Sequence, residues 1–493
     1  MKYEALAKYA ATAAILATGS QVSAEVPKNN KQENPNIILI FIDDEGYGDV
    51  GSFGATGFST PNLDQLASQG MRFTNFYSGS AVSSPSRAAL LTGCYPPRVG
   101  ITKVLFPSDD IGINSGETTM AEILKSKGYR TAAVGKWHLG CLPEFLPLQH
   151  GFDEYFGLPY SNDMWPVHYN GLPVSKDNYG KGWKLTCPPL PLYDGNKKIE
   201  EIQTLGDMDQ ITTRYTERAV DFIKRNHKNP FFLYLPHTMA HVPLGVSDKF
   251  RGKSEQGFYG DVMMELDWSV GEIMKVLTKY GLEDNTLIIY TTDNGPWLNY
   301  GNHGGSAGGL REGKGSPFEG GFRVPCIVKW PAVIPAGTVC NSMVGSIDML
   351  PTIAEIIKAD LPESKIDGIS VLSLFKGDFE SNPREEYFYY SGRNLTAVRM
   401  GNWKYIYPNK YGSNVGSTVG KDGWPGIMAE MDFEGGLYDL RRDPGERYDL
   451  KDLHPEIVEK LKTLADNKRK ELGDLRFRIE GTENRAPGMV TLK

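Results

Sequence analysis

The sequence predicts an α/β protein: a large, mostly parallel sheet sandwiched by helices, followed by a smaller C-terminal antiparallel sheet with a helix. Three observations lead there. Dense apolar runs rich in β-branched and aromatic residues recur at 36–42, 131–134, 230–235, 286–291 and 324–330, as expected of strands buried on both faces. Segments with helical periodicity lie between them, and that alternation implies a largely parallel sheet covered on both sides. Beyond about residue 375 the texture changes to short aromatic-rich runs with hairpin signals.

In chain order, residues 36–42 form the first strand, with Ile37-Ile38-Leu39-Ile40-Phe41-Ile42 unbroken. Thr60-Pro61 opens a helix through Gln69, with Thr as N-cap and Pro in the first turn. A second helix starts at Ser83 and stops at Gly93. Thr119 and Glu122 have capping-box spacing for a third, ending near Gly128. A short strand follows at 131–134, a helix at 210–225, a strand at 230–235 and a long helix at 257–280. Strands at 286–291 and 324–330 complete the large sheet. The second region predicts strands at 386–390, 395–400 and 403–407, the last two joined at Gly401-Asn402, a hairpin signal. A strand at 437–440 and a charged amphipathic helix at 454–472 close it.

The chain has 493 residues, 40% hydrophobic and 23% charged, with a net charge of -7. This balance suits a globular protein with an ample core. It argues against nucleic acid, whose phosphates need concentrated Lys and Arg, though a local basic pocket can still take a small anion. Residues 1–24 read as a secretory signal: Lys2 and Lys8, an Ala-rich apolar stretch, then Val22-Ser23-Ala24 as a cleavage site. Export, most simply to the periplasm, is the expectation, and no segment reaches the ~20 apolar residues of a membrane span. Residues 25–34 read as a linker, 35–375 as the main domain and 376–493 as an α+β subdomain. The five cysteines show no CxxC, so neither a zinc site nor a disulfide framework is expected; Cys326 and Cys340 could pair.

Open α/β sheets bind ligands beyond the C-terminal ends of their strands. There this chain carries Asp43-Asp44, Lys136 and His138, His237 and His241, Asp293-Asn294, and a Gly-rich loop with Lys314. Each alone has an ordinary structural explanation as a cap, turn or loop; their recurrence after successive strands carries the argument. Asp43, Asp44, Asp293 and Asn294 offer only oxygen ligands, which suit a hard cation such as calcium or magnesium. Arg87, Lys136, His138, His241 and Lys314 can hold a tetrahedral anion and stabilise charge growing on it.

One stretch narrows the chemistry. Ser83-Ser84-Pro85-Ser86-Arg87, running into Ala88-Ala89-Leu90-Leu91-Thr92-Gly93, resembles the sulfatase signature. Together with Asp43-Asp44-Glu45-Gly46-Tyr47-Gly48-Asp49, Thr60-Pro61-Asn62-Leu63-Asp64, Gly135-Lys136-Trp137-His138, Asp293-Asn294-Gly295 and Gly320-Gly321-Phe322-Arg323-Val324-Pro325, it makes the chain resemble the type I sulfatases of the alkaline phosphatase superfamily. The helix with Met263-Met264-Glu265-Leu266-Asp267 and the Lys314 loop look most like the arylsulfatase A and N-acetylgalactosamine-6-sulfatase branch.

The resemblance implies that Ser83 is oxidised to formylglycine, whose hydrate attacks sulfur and later expels sulfate as the aldehyde re-forms. It implies one calcium ion on Asp43, Asp44, Asp293 and Asn294, with residue 83 close to it. Arg87 and Lys136 would hold the hydrated aldehyde, and His138 would be the base that collapses it. His241 and Lys314 would grip the sulfate and assist departure of the alcohol, the His-x-Pro spacing favouring His241 over His237. Serine at position 83 implies a serine-type, oxygen-independent maturation enzyme as partner and a bacterial host. The branch implies carbohydrate sulfates of galactose or N-acetylgalactosamine. The aromatic and charged loops 160–181, 297–303 and 411–424 read as rims of the sugar site. Two rivals stand: a phosphatase or phosphodiesterase of the same superfamily, and an unmodified, inactive glycan-binding protein.

Overall fold

An eleven-stranded sheet divides the protein's apolar interior into two layers. The computed structural model describes residues 34–179 and 182–490; the expected leader and the linker up to residue 33 lie outside them. The sheet runs Thr338–Cys340, Met71–Tyr77, Arg323–Lys329, Thr286–Thr292, Asn36–Ile42, Phe231–Pro236, Arg130–Val134, Glu154–Gly157, Leu190–Asp194, Lys197–Ile202, with Val344–Gly345 beside Met71–Tyr77. The five strands from Thr286–Thr292 to Glu154–Gly157 are mutually parallel. Arg323–Lys329 and the Leu190–Asp194 hairpin are antiparallel. The sheet is therefore mixed, with a parallel centre.

Side chains alternate faces along a strand, and the central strand uses both. Ile38, Ile40 and Ile42 enter one layer, packed under the helices Ile211–Asn226 and Phe258–Tyr280. Ile37, Leu39 and Phe41 enter the other, against Ser83–Thr92, Met120–Ser126 and Met349–Ile356. An unbroken apolar run is thus required, because no face of this strand meets water.

The long helices begin and end within a residue or two of expectation. Thr119 and Glu122 make both capping-box bonds. Gly93 and Gly281 end their helices in the left-handed conformation, where glycine lacks the Cβ that would resist it. Thr60 differs from expectation: its hydroxyl accepts the Gly51 amide at 2.8 Å and does not cap its own helix, Pro61–Ser68. The expected disulfide candidates are also separated. Cys326 and Cys340 pair in register with Phe73 from opposite sides of Met71–Tyr77. Two strand spacings of about 4.8 Å put them beyond bridging distance, and all five cysteines are free thiols.

The C-terminal sheet is Glu386–Ser391, Asn394–Met400, Trp403–Ile406 and Gly436–Asp439, all antiparallel, with Pro455–Leu472 packed on it. Its aromatic face shares one apolar cluster with Tyr77, Ala89, Phe318 and Phe322 from the preceding part of the chain. Inside that junction Lys404 bridges Glu319 at 3.0 Å and Glu446 at 2.8 Å, all three buried. Among the described residues no helix is long and apolar enough to cross a membrane.

Candidate active site

Four parallel strands deliver most of the site. Asp43 and Asp44 follow Asn36–Ile42, and Asp293 and Asn294 follow its neighbour Thr286–Thr292. Lys136 and His138 follow Arg130–Val134, and His241 follows Phe231–Pro236. Parallel strands share one C-terminal edge, so residues far apart in sequence converge there. Ser83 opens the helix Ser83–Thr92, all of it buried, and Arg87 lies one turn later on the same face. Lys314 comes from the connection between Thr286–Thr292 and the antiparallel Arg323–Lys329. An antiparallel return keeps its connection at one end of the sheet, which holds Lys314 at this edge.

The turns at the strand ends are tightly determined. A Cβ on Gly135 would lie 1.8 Å from the Pro236 carbonyl oxygen, and one on Gly295 would lie 1.7 Å from that of Gly320. Glycine at both positions lets the loops approach closely enough to share a site. Asp44 and His138 adopt φ of 60° and 62°, a conformation that costs non-glycine residues energy and clusters at functional sites.

The side chains interlock. Asp43 lies 2.5 Å from Lys136 Nζ, accepts the Ser83 hydroxyl at 3.3 Å and lies 3.6 Å from Arg87 Nη2. Arg87 donates to Asp293 Oδ2 and to the Lys136 carbonyl, both at 3.0 Å. Lys314 Nζ stands 2.8 Å from the Asp44 carboxylate, and His241 Nε2 stands 3.6 Å from it. The Asn294 amide donates to Asp44 Oδ1 at 2.8 Å. Three carboxylates thus face three cationic side chains.

Their protonation follows from burial and neighbours. Burial pushes Asp43 up, but Lys136, His241 and Arg87 outweigh it and hold its carboxyl below the usual range. Asp293 is raised, by burial and then by Asp43. Burial lowers Lys136. Lys314 is raised, because Asp44, Asp43 and Asp293 outweigh its desolvation. His138 lies well below its ordinary value through burial, then Lys136 and Arg87, so its imidazole is neutral. Its Nε2 is 3.0 Å from the Leu105 carbonyl, which can only accept a hydrogen bond, and its Nδ1 has no partner. The tautomer is therefore Nε2–H, leaving a lone pair on Nδ1.

The residues fit a hard cation. Asp43, Asp44 and His241 each place a potential ligand atom within 4.8 Å of the others. The buried Asn294 Oδ1 has no hydrogen-bond partner. A half-turn of that amide exchanges its nitrogen and oxygen, putting an oxygen beside Asp44 where the nitrogen now lies. Carboxylates and an amide oxygen form the donor set hard cations prefer.

Above these groups opens a cavity of about 610 Å³. Ser83, His138, His241 and Lys314 line its polar side, while Val104, Phe106, Met164, Trp183 and Met428 form an apolar wall. All ten residues read from the sequence as site members meet here. His237 does not: it is buried beneath, 3.2 Å from Ser269 Oγ, its ring pushed down to about 3 by burial.

Sequence reasoning did not single out Ser161, whose Oγ accepts from Lys136 Nζ at 3.2 Å. Ser161 and Asp163 follow Glu154–Gly157, a four-residue strand too short to leave a periodic signal. Trp297, expected only on a rim, also braces the site: Lys314 Nζ lies 4.2 Å from its ring centre and the His241 ring 5.3 Å away. In the 411–424 region, Tyr411 belongs to the strand Asn409–Ser413 and packs on Phe318, whereas Trp424 packs on His168 and Tyr169.

The sequence matches the family profile "Sulfatase" over residues 35–359 and that for the "C-terminal region of aryl-sulfatase" over 382–484. It is 39% identical over 460 residues to arylsulfatase A of Bos taurus, covering 87% of each chain. It is 34% identical over 502 residues to N-acetylgalactosamine-6-O-sulfatase of Bacteroides thetaiotaomicron, covering 92% of this chain and 96% of that one. Among solved structures, a sulfatase from Pseudoalteromonas sp. aligns with a TM-score of 0.78 at 27% identity, covering 88% of this chain and 90% of that one. By these matches, and by a large α/β sheet of the alkaline phosphatase type, the chain belongs to the sulfatase family and is an enzyme acting on sulfated substrates.

Proposed function

We propose that the protein is an exported, periplasmic carbohydrate sulfatase that uses formylglycine made from Ser83 beside one calcium ion. The observation that carries this reading is the setting of Ser83. Its hydroxyl sits at the N-terminal end of a buried helix, 3.3 Å from Asp43, within an array that includes Arg87, Lys136 and Lys314. A helix N-terminus and fixed cations favour an anion there. Asp43, Asp44, Asp293, Asn294 and the oxygen of residue 83 would hold the ion. An oxidised residue 83 with the ion beside it supplies an activated hydroxyl nucleophile and a route to release sulfate that a plain serine lacks.

The chain's own residues account for the rest. Arg87 and Lys136 hold the Asp43–Asp293 pair and the residue 83 side chain in place. His138, neutral with a free Nδ1, accepts a proton on the residue 83 side of the cavity. Lys314 and His241, braced by Trp297, bind the sulfate oxygens and assist departure of the alcohol. Three carboxylates and three cations balance before any ion binds, so a divalent ion leaves the site net positive and suited to an anionic ester.

A carbohydrate substrate is supported by the relative named N-acetylgalactosamine-6-O-sulfatase and by Phe106, Trp183 and Trp297 in the cavity lining. Against a two-metal phosphatase, the described residues contain one group of three or more candidate His, Cys, Asp or Glu ligands. The leader-like pattern at 1–24 supports export; N-terminal sequencing of protein from its native cells should begin after Ala24.

The deciding experiment is intact-mass analysis of the peptide containing residue 83, with activity measured on aryl and carbohydrate sulfates. Conversion to the aldehyde removes about two mass units, and Ser83→Ala should abolish turnover. Recovery of only unmodified serine from the native producer would leave the glycan-binding alternative. Dominant turnover of aryl phosphate would favour the phosphatase.

A further inference from the structure

The cavity contains a carboxylate that the sulfate chemistry does not use. Asp163 lines it between Ser161, Met164 and the apolar wall. Its residue is 6% exposed, and one carboxylate oxygen, Oδ1, has no hydrogen-bond partner. Burial pushes the carboxyl up, but His241, Lys184 and the Ser161 hydroxyl outweigh it and hold it below the usual range. Lys184 Nζ donates to the Asp163 backbone carbonyl, which fixes the main chain and leaves that side-chain oxygen free.

An ionised carboxylate accepts hydrogen bonds and repels anions. Asp163 is therefore unsuited to the sulfate itself and suited to the alcohol that carries it. A buried acceptor left unsatisfied is costly, and a substrate that supplies a donor removes that cost. We propose that Asp163 determines substrate choice by accepting a hydrogen bond from a hydroxyl or amide N–H of the sugar bearing the sulfate ester. This rests on the carbohydrate reading above and adds a residue and a chemical demand to it. A sugar places hydroxyls within a few ångströms of the ester oxygen, whereas a simple aryl sulfate has no such donor. Phe106 and Trp183, packed edge to face at 5.6 Å, supply the complementary apolar surface for the ring.

The test compares the matured enzyme with Asp163→Asn and Asp163→Ala on two substrate classes, 4-nitrophenyl sulfate and defined monosaccharide sulfates. A hydrogen bond to a charged group predicts a loss of about 10- to 150-fold in kcat/KM on the preferred sugar sulfate. Turnover of the aryl sulfate should stay within about threefold, which also reports that each variant is folded and matured. A sugar sulfate with the contacted hydroxyl replaced by hydrogen should lose the same factor on the parent and little more on Asp163→Asn. Equal losses on aryl and sugar sulfates would overturn the proposal, leaving Asp163 as the structural counter-charge of Lys184. Unchanged sugar turnover in both variants would overturn it as well. A parent that cleaves aryl sulfate but no carbohydrate sulfate defeats the carbohydrate reading itself, and this proposal with it.

Discussion

Arg87 is the residue whose removal most directly tests the electrostatics of the site. Its guanidinium is wholly buried, hydrogen-bonded to Asp293 and to the Lys136 carbonyl, and 3.6 Å from Asp43. Arg87→Met keeps the bulk of the side chain and deletes the charge. The three carboxylates then face only Lys136 and Lys314. Breaking a buried pair by removing one partner costs about 3–5 kcal/mol, because the remaining charge is left uncompensated. For a folded unit of the size of Asn34–Lys493, unfolding entropy is about 1 kcal/mol/K, so the midpoint should fall by about 3–5 °C. The assay is thermal unfolding of unmatured protein in chelator, so that no divalent ion compensates the unpaired buried carboxylates. Arg87→Met with Asp293→Asn should recover part of the loss by restoring the charge balance. A midpoint within about 1 °C of the parent, or a double variant less stable than the parent by the full sum of the two single losses, would refute the claim that Arg87 holds these carboxylates.

Three further outcomes follow from other parts of the molecule. Lys404→Met removes the ion-pair partner of Glu446 and one of two for Glu319, which keeps Arg323 at 3.7 Å, and should cost about 3–5 kcal/mol by thermal unfolding, with partial recovery on adding Glu446→Gln. Asp49 is pushed up to about 7, chiefly by burial, despite bonds from Ser306, Tyr259 and Gly46. Because its folded value is raised, its stabilising contribution is full below the unfolded value near 4 and is lost as pH rises through 7. The unfolding midpoint of Asp49→Asn relative to the parent should therefore increase between pH 5 and 8.5; a flat difference would contradict the raised value. His138→Gln should lower kcat on aryl sulfate by about 10²–10⁴-fold, the usual contribution of a positioned base, with the unfolding midpoint little changed.

Much of the molecule is legible in the sequence because its signals are local. The unbroken run at 36–42 encodes a strand buried on both sides, and Thr119 with Glu122 encodes a helix start through two bonds spanning three residues. Asp43, Asp293 and Lys136 could be gathered on paper because each follows a recognisable strand and parallel strands share an edge. Met71–Tyr77 and Glu154–Gly157 were not anticipated. The first alternates imperfectly between buried and half-buried positions, and the second is four residues long. With the second strand went its end, so Ser161 and Asp163 fell within the 160–181 rim loop without being singled out as site residues.

The chain's local chemistry alone determined four of the five parallel central strands, the long helices, and the inventory of acids and bases available to the site. Tertiary structure decided which of them meet. It buried His237 beneath the cavity, set Cys326 and Cys340 on opposite sides of a strand, and stacked Trp297 on Lys314. It also left one oxygen of Asp163 without a donor. These outcomes depend on contacts between segments separated by tens to hundreds of residues. No local propensity encodes them, because the free energy that selects them exists only once the layers have packed.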